Sequence, residues 1–107
     1  MPSWFVPKVI RGVVQEIEVT ERVDELSQTF HRFQEAYEGL EWLLARDCEN
    51  LLKFSQIKTV KGKRHYLYRQ AGDPIARTPD IVVLFTYDDN QVNLIGIDAK
   101  ELDPAAD

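Results

Sequence analysis

The chain has 107 residues, with 44% hydrophobic and 29% charged side chains and a formal net charge of −5. That is the size and make-up of one soluble globular domain with a single core. The longest uninterrupted apolar run, Ile81 to Phe85, is far too short to span a bilayer, so no membrane role is expected. A lone cysteine, Cys48, excludes an internal disulfide, and no signal-peptide pattern precedes Pro7, Lys8 and Arg11. The expected location is cytoplasmic.

Residues 1–10 read as a lead-in. Val13, Ile17 and Val19, set against Glu16, Glu18 and Thr20, predict a first strand. Thr20 then stands as a helix N-cap, with Glu21 in the first turn. Val23, Leu26, Phe30, Phe33, Tyr37, Leu40 and Leu44 recur at helical spacing, and Gly39 is the point expected to divide this stripe into two helices. Leu51 to Ile57 and His65 to Gln70 read as strands on either side of "KTVKGK", with Gly62 at the turn. "AGDPIARTPD" reads as a loop. "IVVLFTY" and "QVNLIGI" form a hairpin across Asp88 to Asn90, the first of them central in the sheet. Residues 101–107 read as a frayed tail. The expected fold is α+β: two helices, or one long broken helix, on one face of a small antiparallel-rich four-stranded sheet, in the order β-α-α-β-β-β.

Charge is partitioned along the chain. Residues 53–77 hold seven Lys/Arg and one acid, whereas the flanking segments are both acidic. The centre of this basic stretch, "KTVKGKRHYLYR", interleaves cations with two tyrosines. That pattern fits either a surface for an anionic partner, with lysines and arginines on phosphates and aromatics available for base stacking, or a solvated hairpin that protects a sheet edge. As a strand, its alternation puts Arg64, Tyr66 and Tyr68 on one face and His65, Leu67 and Arg69 on the other; which face is buried stays open. His31 reads as a surface residue and Cys48 as a half-buried thiol rather than a thiolate paired with His65. One cysteine and two histidines without ligand spacing suggest no metal site, and no Gly-rich phosphate loop is present.

Three stretches resemble RelE/ParE-like toxins of bacterial type II toxin–antitoxin modules. "FQEAYEGLEWLLARD" is similar to their second helix, "RHYLYR" to their second strand and "PDIVVLFTYDDNQVNLIGI" to their closing hairpin, together covering about residues 30–97. The resemblance implies one toxin-like domain over residues 1–107 that needs no cofactor. Its implied partners are a cognate antitoxin or another protein and, for a ribonuclease, the ribosome and its mRNA; monomer and homodimer both stay open. Whether the chain is an enzyme also stays open. If it is, the resemblance implies a metal-independent endoribonuclease that drives attack of a ribose 2′-hydroxyl on the adjacent phosphate. Arg64 and Arg69 would then carry phosphate charge, with His65, Tyr66 or Tyr87 moving protons, and Lys58, Lys61, Lys63 and Arg77 would bind the anion. The alternative is a non-enzymatic binder, either gyrase-type or degenerate, or a small acidic inhibitor acting by protein–protein contact. The acidic charge and a C-terminal region with Lys100 as its only cation depart from the usual basic toxin.

Overall fold

The computed structural model describes residues 10–100, so all but the last residue of the expected lead-in over residues 1–10, and the tail over 101–107, lie outside it. In chain order the elements are β1 (Gly12–Gln15), α1 (Ile17–Thr29), α2 (Phe33–Leu51), a short 3-10 turn (Leu52–Phe54), β2 (Gln56–Val60), β3 (Lys63–Gln70), β4 (Asp80–Tyr87) and β5 (Gln91–Lys100). The strands form one sheet in the order β1-β5-β4-β3-β2. β1 runs parallel to β5 and the other neighbours are antiparallel. The molecule is thus α+β with two helices, but the four-stranded, antiparallel-rich expectation is wrong: the sheet is mixed and has five strands.

The strand that the expected count of four leaves out is β2, three of whose five residues, Lys58–Val60, come from the stretch that looks like a basic loop. A two-residue turn at Lys61 and Gly62, both at positive φ (51° and 76°), folds Gln56–Val60 back onto β3. Turns of that hand match the twist of paired strands, and Gly62 adopts the left-handed conformation without the cost of a Cβ. The expected strand over Leu51–Ile57 is displaced: Leu51 closes α2 and pairing begins only at Gln56.

The start of α1 is a second correction. Val19 belongs to the helical spacing Val19, Val23, Leu26, all buried, so the helix begins at Ile17 and not after Thr20. Glu16 occupies the N-cap position, and the Thr20 hydroxyl donates to Gln15 Oε1 at 3.0 Å instead of capping. The helices divide at Phe30–Arg32 and not at Gly39. Arg32 takes the left-handed conformation (φ 60°) and its guanidinium donates to the Ala76 carbonyl at 2.9 Å and to Glu35 at 2.6 Å.

Gly39 sits exposed within α2, and a Cβ there would meet nothing within 4 Å. Gly39→Ala is therefore expected to raise stability by about 0.5–1 kcal/mol, because the unfolded chain loses freedom while the helix keeps its shape. Urea denaturation followed by circular dichroism checks this; an unchanged or lower midpoint contradicts it.

The core lies on one face of the sheet. Ile81, Val83 and Phe85 alternate inward from β4, and Val92 and Leu94 from β5, against Val19, Val23 and Leu26 of α1 and Phe33, Tyr37, Leu40, Leu44 and Cys48 of α2. Phe33 and Tyr37 stack with ring centroids 5.7 Å apart, and the Tyr37 hydroxyl accepts a hydrogen bond from Gln15 of β1. Burial pushes the Tyr37 hydroxyl well above the usual tyrosine range, with Glu41 adding to the rise. The β4 strand is central in the sheet, and β2 is an outer edge whose residues are all exposed. No described helix is long and apolar enough to cross a membrane.

Candidate nucleic-acid interface

The register of β3 settles which of its faces meets the helices. Tyr66 lies opposite Phe85 and Tyr68 opposite Val83, both of which point into the core. Arg64, Tyr66 and Tyr68 therefore share the helix side of the sheet with Ile57 and Thr59 of β2, while His65, Leu67 and Arg69 share the opposite side with Lys58 and Val60. Tyr66 is half-buried, with its ring centroid 5.7 Å from those of both Phe85 and Tyr87. The Tyr68 hydroxyl donates to Gln70 Oε1 at 3.2 Å.

The cations at the end of the hairpin differ from most arginines elsewhere in the fold. Lys58, Lys61, Lys63 and Arg64 are all exposed, and none forms an ion pair among the described residues. By contrast Arg11 pairs with Glu49, Arg22 with Glu25 and Asp98, and Arg32 with Glu35. Arg46 lies over the Trp42 ring at 4.7 Å. Lys53, Arg77 and Lys100 are also exposed and outside any ion pair among the described residues, so four of the seven such cations gather at one end of the β2–β3 hairpin, in a chain that is acidic overall.

Two expected members of this set are engaged otherwise. Arg69 is tied to Asp80, donating through Nε at 3.0 Å and also through Nη2. Asp80 accepts the Gly72 backbone N–H at 2.6 Å, which closes the loop between β3 and β4. Gly72 permits this because a Cβ there would stand 2.3 Å from the Thr78 carbonyl oxygen. Arg77 lies out in that loop, exposed and at φ 60°, away from the β2–β3 turn in sequence and structure.

Burial on its own would raise the Asp80 carboxyl, but the Gly72 N–H and the Arg69 guanidinium outweigh it and hold the group below the ordinary aspartate value. A depressed folded-state pKa contributes stability above the unfolded value, about pH 4, which is lost as pH falls through the folded value. Asp80→Asn is accordingly expected to cost about 1–3 kcal/mol near neutral pH, the range for hydrogen bonds to a charged group. The gap between variant and parent should begin to narrow below about pH 4 and close only below the depressed folded-state value, where the parent carboxyl protonates in the folded chain as well. Denaturation midpoints across pH test this, and a gap that persists unchanged in acid contradicts it.

The proton-transfer candidates do not converge. His65 is buried, with Nδ1 3.0 Å from the Lys63 carbonyl oxygen, on the face away from the helices. Tyr66 and Tyr87 lie on the helix side, so the sheet itself separates them from His65 and Arg69. Tyr87 is covered by Arg11, whose Cζ stands 5.3 Å from the ring centroid. Burial first, then the neighbouring Tyr66, Cys48 and Glu49, raise the Tyr87 hydroxyl, against the opposing pull of Arg11. Cys48 is buried on the helix side, its thiol pushed up to about 11 by burial, so neither its environment nor its position suits a thiolate pair with His65.

Sequence reasoning passed over Arg11 and Asp80. Arg11 is buried and ties α2 to the β4–β5 turn: its Nε donates to the Asp88 carbonyl at 2.6 Å, its Nη2 to Glu49 at 2.8 Å, and its backbone N–H to the Ala45 carbonyl at 2.8 Å. The one available signal was a single charge inside the otherwise apolar "VIRGVV", since a cation in such a run needs a partner if it is buried. Among the described residues, no group of three His, Cys, Asp or Glu side chains could hold a metal ion. In comparisons with known proteins, no family profile, curated protein or solved structure matches the chain.

Proposed function

We propose that the chain is a toxin-type protein of a type II toxin–antitoxin module that meets nucleic acid through its β2–β3 hairpin. The observation that carries this reading is the gathering of Lys58, Lys61, Lys63 and Arg64, exposed and without acidic partners among the described residues, at one end of an acidic molecule. Such an array attracts phosphate locally, while the negative remainder orients the approach. The toxin half of the reading rests on the resemblance over residues 30–97. If the reaction is the endoribonuclease one, Arg64 is best placed to reach a phosphate, since Arg69 is held by Asp80. Tyr66 is then the nearest candidate for proton transfer on the same face.

The non-enzymatic alternative draws support from a different observation: the candidates for proton transfer fall on opposite faces of the sheet. Both readings are tested with a short single-stranded RNA carrying a fluorophore. Binding to the full chain should weaken with salt, with a slope of about −3 in log–log form, as expected for four cations on a single strand. Gel analysis in the presence of a chelator separates the two: cleavage leaving a cyclic phosphate end supports the enzyme, and intact bound RNA the binder. No binding at low salt would remove nucleic acid from the account.

A further inference from the structure

The pairing of β3 is uneven along its length. Its ladder with β4 stops at Tyr66 opposite Phe85, whereas its ladder with β2 continues through Lys58–His65, Thr59–Arg64 and Val60–Lys63 to the turn at Lys61 and Gly62. The last three residue pairs are therefore a two-stranded ribbon carried past the end of its ladder with β4; His65, in the first of them, is still buried, so the free part is the Thr59–Arg64 and Val60–Lys63 pairs and the turn. At about 3.4 Å per residue the free part reaches roughly 7 Å. Its cations are not confined to one side. Lys58 and Lys63 lie on one face, Arg64 on the other and Lys61 at the tip, and all four are exposed. A flexible single strand can touch all four only by wrapping round the tip. A ribbon charged on both faces and at its tip suits a site with phosphates on either side.

We infer that the end of the β2–β3 hairpin is an arm that enters the major groove of double-stranded DNA. The B-form major groove is about 12 Å wide and 8.5 Å deep, and it admits a two-stranded ribbon whose strands are about 5 Å apart. The A-form major groove of duplex RNA is too narrow for side chains to enter, so the same arm discriminates against it. The tight turn at Lys61 and Gly62 keeps the tip narrow, and its two positive φ values fix its shape before binding. The inference rests on the hairpin being the surface that faces nucleic acid, and it adds the form of nucleic acid that fits.

Three fluorophore-labelled probes of equal length test it with the full chain: duplex DNA, duplex RNA of the same sequence and single-stranded RNA. The parent should bind duplex DNA at least about 10-fold more tightly than duplex RNA at equal salt, given the difference in groove width. A Lys61→Ala/Lys63→Ala variant should lower the salt slope on duplex DNA by about two, and Lys53→Ala, off the arm, should leave it unchanged. If duplex RNA binds as well as duplex DNA while binding still depends on Lys61 and Lys63, groove entry is overturned and the hairpin reading stands. If no probe binds, or the tip variant binds all three as the parent does, both are overturned.

Discussion

A variant with Lys58, Lys61, Lys63 and Arg64 all replaced by alanine should lose roughly 100-fold in affinity for single-stranded RNA near physiological salt. Each phosphate neutralised on a single strand contributes about 0.7 to the logarithmic salt slope, so four contacts give a slope near −3, and the counterion term between 1 M and about 0.15 M salt is of that size. The four side chains are exposed and make no ion pairs among the described residues, so their removal should leave the fold intact. Equal thermal midpoints for parent and variant would establish that the loss is one of binding. Fluorescence anisotropy over a salt series measures both affinity and slope. A variant that keeps its affinity and slope would show that these cations are merely solvated.

Phe85→Ala should have the largest effect on stability, a loss of about 3–5 kcal/mol. The ring is fully buried at the middle of the central strand, opposite Leu94 on β5 and Tyr66 on β3. Its removal opens a cavity in the core and takes away one of the two rings that hold Tyr66. Against a total stability of about 5–15 kcal/mol for a domain of this kind, such a loss leaves little in reserve. Ile75→Ala is the matching control. Ile75 is 92% exposed, and its truncation should change stability by no more than about 0.5 kcal/mol. Urea denaturation of the two variants beside the parent tests this; similar midpoints for both would mean that Phe85 is not at the centre of the core.

Local periodicity made much of this fold legible. The buried stripe from Val23 to Leu44 and the hairpin of β4 and β5 could be read directly, because each is specified by residues close together in the chain. The failures have non-local causes. Val19 fits both a strand alternation and the helical spacing to Val23, and only packing against the sheet selects the helix. β2 has only two apolar residues, Ile57 and Val60, and they fall on opposite faces, so it carries no hydrophobic alternation; pairing with β3 and a two-residue turn create it. The break at Arg32 has no glycine or proline to announce it and is held by a hydrogen bond to Ala76, far along the chain.

The basic segment itself was visible in the sequence, but its working geometry was not. Which face of β3 meets the helices follows from its register with β4, which alternation alone leaves undecided. The same register divides His65 and Arg69 from Tyr66 and Tyr87, and the tie from Arg69 to Asp80 removes that arginine from the free set. What remains is a shorter and better-defined group of four cations at the end of one hairpin.

The most direct test of the central claim is growth of a bacterial culture on induced expression of the parent, beside the variant lacking Lys58, Lys61, Lys63 and Arg64 at the same soluble level. Arrest by the parent and normal growth with the variant is the expected result, and it would identify the hairpin as the surface through which the protein acts. Equal growth of the two cultures at equal soluble yield would contradict the toxin reading.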